Sequence, residues 1–182
     1  MSNFQFWYRQ SFFNKDEIKS MNEFVENNFD DYEEKTKANY IDTKNALTKC
    51  ISYGKIKNFL CDLIEYYYAI NSEHFGYDLY PMNNNFSVNY NIYNKNSEYK
   101  WHNDVCNDLN YDIKFTILIN VSENYYTGGQ FQLFDAGECT LNTFNNPGDT
   151  LMFKSDLFHR VTPIENGERK TLAIFLRGPK FR

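Results

Sequence analysis

Hydrophobic and polar residues alternate differently in the two parts of the chain. In the first 80 residues, a capping-box sequence begins at Asn14, and apolar residues follow it at helical spacing from Ile18. The same spacing returns over residues 55–70, where an apolar face predicts a second helix. Residues 4–9 partly alternate and predict a strand, whereas the polar, mixed-charge residues 30–49 predict a loop.

After Gly76 the pattern changes to short runs rich in Phe, Tyr, Val, Ile and Thr, separated by Asn, Gly, Pro and Asp. Runs of this kind are typical of strands joined by turns. The predicted strands cover residues 86–93, 99–102, 113–121, 130–134, 150–153, 159–163 and 170–177. Two helices followed by these strands predict a β-sandwich or barrel with helices packed on one face.

Composition and charge narrow the classes of function. The chain has 19 Lys and Arg against 24 Asp and Glu, a formal net charge of −5, and no basic run. It therefore lacks the electrostatic footprint of a nonspecific nucleic-acid binder and is poorly suited to an anionic membrane surface. The sequence shows no 18-residue apolar stretch and no signal-peptide pattern, so we expect a cytoplasmic location and no membrane partner.

Two of the three histidines have unusual neighbours. His102 and Asp104 are two residues apart, so on a strand both side chains point to the same face and can reach one metal ion. His159 lies 57 residues later, at the start of another predicted strand. Two imidazoles and one carboxylate form the facial triad of non-haem Fe(II) oxygenases. The His-x-Asp spacing alone is weak, because surface residues show it by chance.

Arg169 and Thr171 add a second candidate feature. They begin a strand-like run ten residues after His159 and share one face of it. A guanidinium beside a hydroxyl can bind the distal carboxylate of a dicarboxylic keto acid. The alternative interpretation of Arg169 is a solvated charge beside the turn at Gly167.

Together, four motifs make residues 86–178 resemble the Fe(II)/2-oxoglutarate-dependent dioxygenases, specifically the prolyl 4-hydroxylase-like branch. Their order and spacing agree with the family across more than half of the chain. The motifs are Tyr-x-x-His-x-Asp at 99–104, a strand at 116–120 followed by Gly-Gly-x-Phe at 128–131, Pro-Gly-x-x-x-x-Phe at 147–153, and His-x-Val-x-Pro with a later Gly-x-Arg at 159–169.

The resemblance implies a mainly β fold with N-terminal helices, built as a double-stranded β-helix, or jelly roll. Residues 1–182 would form a single domain, with 1–80 as helical support and 81–182 as the jelly-roll catalytic core.

The resemblance also implies roles for individual residues. His102, Asp104 and His159 would bind iron, and Arg169 would pair with the far carboxylate of 2-oxoglutarate. Tyr93 would donate a hydrogen bond to that carboxylate, with Tyr90 as a weaker substitute, and Thr171 would occupy the second polar position beside it. Two further residues, Arg177 and Trp101, are candidates for contact with the substrate, and Trp101 could equally pack beneath the site.

The activity implied is hydroxylation of an unactivated C–H bond, with succinate and CO₂ as co-products. The family uses Fe(II), 2-oxoglutarate and O₂, and L-ascorbate serves as a reductant. The expected substrate is a prolyl residue of a peptide or protein, which rests on family likeness alone. Two alternatives stay open, namely a hydroxylase of a free amino acid or other small molecule, and a non-catalytic jelly-roll binding module. Nucleic acid is not expected as a partner.

Overall fold

The computed structural model of this chain describes residues 4–33, 44–105 and 112–180. Two helices and thirteen strands occur within these ranges. The elements are β1 (Phe6–Arg9), α1 (Lys15–Asn28), β2 (Asp31–Glu33), β3 (Leu47–Ser52), α2 (Tyr53–Ile70), β4 (Ser87–Tyr93), β5 (Tyr99–His102), β6 (Ile113–Asn120), β7 (Thr127–Gly128), β8 (Phe131–Phe134), β9 (Glu138–Thr140), β10 (Thr150–Lys154), β11 (Phe158–Val161), β12 (Ile164–Asn166) and β13 (Arg169–Arg177).

Both predicted helices are present, and the start of α1 is the predicted capping box. The Asn14 side chain accepts hydrogen bonds from the backbone N–H groups of Asp16 and Glu17, while the Glu17 carboxylate accepts one from the Asn14 N–H. Helix α2 begins at Tyr53 and continues beyond Ile70 as a π-helical turn. Within the described ranges, neither helix is long and apolar enough to span a bilayer.

The strands form two main antiparallel sheets that face each other, as expected for a jelly roll. The large sheet has seven strands in the order β1-β10-β6-β13-β4-β3-β2. The small sheet has four strands in the order β5-β11-β8-β9, and β12 pairs with β7 in a separate two-stranded ribbon. The fold class inferred from the sequence is confirmed.

Alternate residues of the large sheet belong to two different hydrophobic cores. In β6, Ile117 and Ile119 pack in the core that contains α1 and α2, whereas Leu118 belongs to the core between the sheets. Because neighbouring residues of a strand point to opposite faces, a strand buried on both sides is mostly apolar instead of alternating between apolar and polar residues. Both faces of the large sheet are thus covered, and the side chains of the core between the sheets are buried.

The prediction of a loop over residues 30–49 is wrong at both ends. Strand β2 pairs with β3, and β3 pairs with β4, so this segment extends the large sheet to its edge. Residues 34–43, in the middle of the predicted loop, lie outside the described ranges. The alternation that signals a strand is missing here because β3 carries Thr48, Cys50 and Ser52 on one face, where a half-buried strand usually has apolar residues.

A tight contact at Gly148 joins the N-terminal segment to the sandwich. The Gly148 carbonyl accepts hydrogen bonds from the N–H groups of Phe12 and Phe13, and its own N–H donates to Asn120. Gly148 has a φ of +83°, and a Cβ atom there would lie 2.0 Å from the Phe13 carbonyl oxygen. Only glycine fits this position without moving the backbone.

We therefore expect Gly148→Ala to lower the free energy of unfolding by at least about 2 kcal/mol, because it adds left-handed strain to a backbone clash. For a chain of this length, that loss corresponds to a fall in melting temperature of roughly 4–8 °C. Gly137→Ala is the matched control, since a Cβ at Gly137 meets no atom within 4 Å. Equal melting temperatures for the two variants would contradict this account.

Candidate metal centre

The pairing of β5 with β11 brings together the three residues of the proposed triad. His102 ends β5 and lies directly opposite His159 of β11 in the antiparallel register. Asp104 follows in the turn after β5, with its carboxylate oxygens 3.7 Å from the Nε2 atoms of His102 and His159. The ligand atoms of all three residues lie within 4.8 Å of one another. A sequence separation of 57 residues is thus closed by one strand ladder.

Backbone carbonyls select the tautomer of both imidazoles. The Nδ1 atom of His102 lies 2.7 Å from the Lys100 carbonyl oxygen, and Nδ1 of His159 lies 3.0 Å from that of Leu157. A carbonyl only accepts, so each Nδ1 must carry the proton and donate it. Each Nε2 then presents a lone pair toward Asp104, which is the arrangement that a metal ion requires of histidine.

Two hydroxyl residues hold the Asp104 carboxylate in place. The backbone N–H of Asp104 donates to the Ser155 carbonyl at 2.9 Å, and the Thr116 hydroxyl donates to the carboxylate oxygen Oδ2. The Ser155 hydroxyl lies 3.0 Å from that of Thr116. Since Thr116 gives its proton to Asp104, it accepts one from Ser155. The sequence analysis did not identify Thr116 or Ser155 as site residues. The position of Thr116, between the apolar residues Phe115 and Ile117 of β6, was a signal for a buried polar role.

Aromatic rings surround the histidines and exclude water. The Tyr99 ring stacks on His102 with centroids 3.4 Å apart, and Phe153 packs edge-on against His159 at 4.7 Å. Burial lowers the pKa of His102 to about 3 and that of His159 to about 4, so both are neutral at pH 7. Burial also raises the pKa of Asp104, although His102 and the Thr116 hydrogen bond oppose the rise. A cation among these three ligands would offset the cost of burying the carboxylate.

Lys44 is a further residue near the triad that the sequence interpretation did not identify. Its ammonium group lies 5.2 Å from the centre of the Tyr99 ring and donates hydrogen bonds of 2.7 Å to Thr48 and Asn91. The positive charge of Lys44 adds a small contribution to the burial-lowered pKa of His102 and opposes the rise that burial causes in the pKa of Asp104.

Arg169 lies inside the sandwich rather than in solvent. Only 1% of its surface is exposed, and its register partner across β13 and β4 is Tyr93. The guanidinium carbon lies 5.4 Å from the Tyr93 ring centre and 5.8 Å from that of Phe144. Its Nε and Nη2 atoms are buried and have no hydrogen-bond acceptor among the described residues. Buried donors of a charged group are costly when unpaired, so this guanidinium is suited to an anionic ligand.

The turn before β8 leaves room for that arginine. Gly129 has a φ of +60°, and a Cβ there would lie 3.0 Å from the Arg169 Cδ atom and 2.3 Å from the Ile164 side chain. A side chain at this position would displace the guanidinium. The Gly-Gly pair that the sequence marks as a turn is therefore also a boundary of the arginine pocket.

The two candidate tyrosines lie on opposite faces of β4. Tyr93 shares the inner face with Arg169, and burial raises its pKa to about 12. Tyr90 belongs instead to the core formed with the helices, where its hydroxyl donates to Asn22 at 3.0 Å. The structure thus removes Tyr90 as a substitute for Tyr93. Thr171 is buried on the central strand β13, with Asn91 and Asn120 as its register partners.

The two candidate substrate residues contact side chains outside the triad. Trp101 precedes His102 on β5 and so points to the opposite face, where its ring contacts Phe134 and the Arg160 guanidinium. Arg177 ends β13 and pairs with Asp112, with 2.5 Å between nitrogen and oxygen. The sequence contains no local signal for the direction of either side chain, because the face of a strand that meets the site depends on its register with the partner strand.

Comparisons with known proteins agree with this geometry. The family model for the 2OG-Fe(II) oxygenase superfamily matches residues 88–177. The fold is similar to that of a Pseudomonas putida prolyl-4-hydroxylase, with a TM-score of 0.74 and 17% identity over 97% of this chain and 94% of that one.

Two further solved structures share the fold. The viral collagen prolyl hydroxylase of Paramecium Bursaria Chlorella virus-1, in complex with 2OG, gives a TM-score of 0.72 and 14% identity over 97% of this chain and 98% of that chain. A Trichoplax adhaerens prolyl hydroxylase in complex with a hypoxia inducible factor peptide fragment gives 0.69 and 14%, over 97% and 84%. No curated protein matches the chain in sequence.

The lowered histidine pKa values predict a pH dependence for the metal-free protein. Unfolded histidine titrates near 6.5 and folded His159 near 4, so between these values the unfolded chain binds more protons and stability falls as pH falls. In EDTA, we therefore expect the free energy of unfolding of wild type to fall between pH 7 and pH 5 by about 2 kcal/mol more than that of His159→Gln. Urea unfolding at both pH values measures this difference. His74→Gln, which leaves both site imidazoles in place, is the control. If the free energy of unfolding depends on pH in the same way in wild type and His159→Gln, burial does not lower the pKa of His159.

Proposed function

The chain belongs to the 2OG-Fe(II) oxygenase superfamily, and on that premise we propose that it hydroxylates a prolyl residue of a peptide or protein. Membership makes it an oxidoreductase and implies Fe(II), 2-oxoglutarate and O₂ as metal, co-substrate and oxidant. L-Ascorbate as a reductant and a cytoplasmic location stay predictions. A ferrous ion held by the triad would activate O₂, of which one oxygen atom would be inserted into the C–H bond and the other would oxidise 2-oxoglutarate to succinate and CO₂.

One observation carries the proposal: a two-histidine, one-carboxylate cluster and an arginine with unpaired donors line the same core between the sheets, because Phe131 contacts His159 and Phe144, and Phe144 lies beside Arg169. This ligand set is the one that non-haem Fe(II) oxygenases use, and it leaves coordination positions open for co-substrate and O₂. The unpaired guanidinium supplies a second anchor for a ligand with a carboxylate at each end. A purely structural arginine would have an acceptor in the protein.

In this proposal each residue has a distinct task. His102 and His159 supply neutral nitrogen ligands, and Asp104 neutralises part of the metal charge while Thr116 and Ser155 fix its orientation. Arg169 orients the far carboxylate of 2-oxoglutarate by paired hydrogen bonds. Tyr93 keeps its proton at neutral pH, because its pKa is about 12, and can donate it to the same carboxylate.

The prolyl substrate has weaker support than the chemistry. The solved structures that share the fold include several prolyl hydroxylases, one of which holds a peptide fragment. The net charge of −5 argues against an anionic nucleic-acid substrate. A free amino acid and a non-catalytic binding role are the outcomes that the next experiment separates.

We expect the purified protein with Fe(II), 2-oxoglutarate and O₂ to release succinate and to add 16 Da to proline-containing peptides, as measured by mass spectrometry. Asp104→Ala should abolish both signals, since two neutral ligands hold the metal far less tightly. Asp135→Ala, in the β8–β9 turn, is the matched control and should retain activity. Hydroxylation of free proline without hydroxylation of any peptide would identify a free amino acid, and not a prolyl residue of a peptide, as the substrate. The absence of succinate under all conditions, with metal binding unaffected by Asp104→Ala, would refute the enzyme assignment.

Arg169→Met should raise the KM for 2-oxoglutarate roughly 10- to 100-fold, because a hydrogen bond to a charged group contributes about 1.5–3 kcal/mol. Metal affinity should stay at the wild-type value in this variant, since the three ligands are unchanged. Arg160→Met is the control, because Arg160 lies on the outer face beside Trp101 and pairs with Glu138. An unchanged KM in Arg169→Met would remove Arg169 from the co-substrate site.

A further inference from the structure

Strand β1 forms one edge of the large sheet in the part of the chain that the structure describes. It pairs with β10 through a regular register, and within the described residues no strand lies on its other side. A groove of about 680 Å³ runs along residues 4–10 and is bordered by Asp135. The aromatic side chains of Phe4 and Tyr8 are 46% and 43% exposed along it.

The hydrogen-bond alternation shows which backbone groups face this groove. The Lys154 N–H donates to the Gln5 carbonyl, so the directly opposed pair formed by these two residues is a hydrogen-bonded pair. Counting in steps of two, the backbone groups of Trp7 and Arg9 also face β10. The Arg9 carbonyl accepts a further hydrogen bond from the side-chain hydroxyl of Thr150. The N–H and C=O groups of Phe6 and Tyr8 therefore point away from β10, into the groove.

Sheet edges of stable monomers are usually protected by lysine, proline, a bulge or a covering segment. β1 has no bulge, and Arg9 is its one charged residue. With three aromatic residues in four positions, it has the composition of a strand that pairs with another strand.

We propose that β1 pairs antiparallel with β1 of a second copy of this chain, about a two-fold axis at Trp7. Phe6 of each copy then lies opposite Tyr8 of the other, so all four outward-facing N–H and C=O pairs form hydrogen bonds. The two large sheets become continuous across the dimer, and the interface is isologous.

The charges along β1 and the proposed strand register both favour a second copy of this chain as the partner of β1. In this register each Arg9 faces Gln5 of the other copy, so the two arginines do not oppose each other. The charged residues that line the groove, Arg9 and Asp135, have opposite signs, so neither sign of charge dominates the surface that a second copy would meet. The cross-strand Phe6–Tyr8 pairs also cover the exposed tyrosine ring.

Sedimentation velocity over a concentration series tests the proposal on the full chain, with a species of twice 21.8 kDa as the expected result. Tyr8→Pro should be monomeric yet keep the melting temperature of the wild-type monomer, because the lost N–H faces outward and a proline fits an edge strand there. Arg9→Pro is the matched control and should lower the melting temperature, since its N–H bonds to β10.

Two gentler variants test the register. Gln5→Arg places like charges opposite each other at two symmetric positions and should weaken dimerisation roughly 2- to 30-fold, whereas Gln5→Glu should strengthen it by a similar factor. A wild-type chain that stays monomeric at millimolar concentration overturns the proposal. So does a dimer that Tyr8→Pro and Gln5→Arg leave unchanged, or a monomer whose β1 edge binds an unrelated extended peptide.

Discussion

This structure depends on the burial of two charged groups, Asp104 and Arg169, neither of which forms an ion pair with an oppositely charged Lys, Arg, Asp or Glu among the described residues. Asp104 lies between two histidines that burial keeps neutral, and Arg169 lies between aromatic rings with two donors unpaired. Removing an ion from water costs several kcal/mol unless an opposite charge and hydrogen bonds compensate. The missing partners are a cation at one place and a carboxylate at the other, and an iron ion with a keto diacid provides both.

The rest of the fold keeps these groups from reaching water. Helices α1 and α2 cover the outer face of the large sheet, and the small sheet covers its inner face, so β4 and β13, which carry Tyr93 and Arg169, are packed on both sides. Register fixes the positions along the strands, with His102 opposite His159 and Tyr93 opposite Arg169. A slip of one residue in either ladder would turn a site residue to the wrong face. The ladders therefore set the precision of the site, and Gly129 keeps the space for the guanidinium.

The two edges of the large sheet differ in residue composition. One edge, formed by β2 and β3, carries polar residues on a face where a packed strand would carry apolar ones. The other edge, β1, is aromatic and regular, and its free backbone groups are those of a strand with an unfilled partner position. The two edges thus differ in chemistry, which is why self-pairing is proposed at β1.

The sequence alone determined everything that rests on local periodicity or on a compact motif. It predicted the capping box at Asn14, the extent of α2, eight of the strands, and the identity of the His, Asp and Arg residues that the structure brings between the sheets. Register and packing between distant segments decided the rest. They placed Tyr93 between the sheets and Tyr90 in the core with the helices. They also turned Trp101 away from the triad and paired Arg177 with Asp112. Three residues that the sequence analysis had not identified lie near the triad, namely Thr116, Ser155 and Lys44. A strand's pattern shows that its two faces differ, but which face meets the site depends on the partner strand across the ladder.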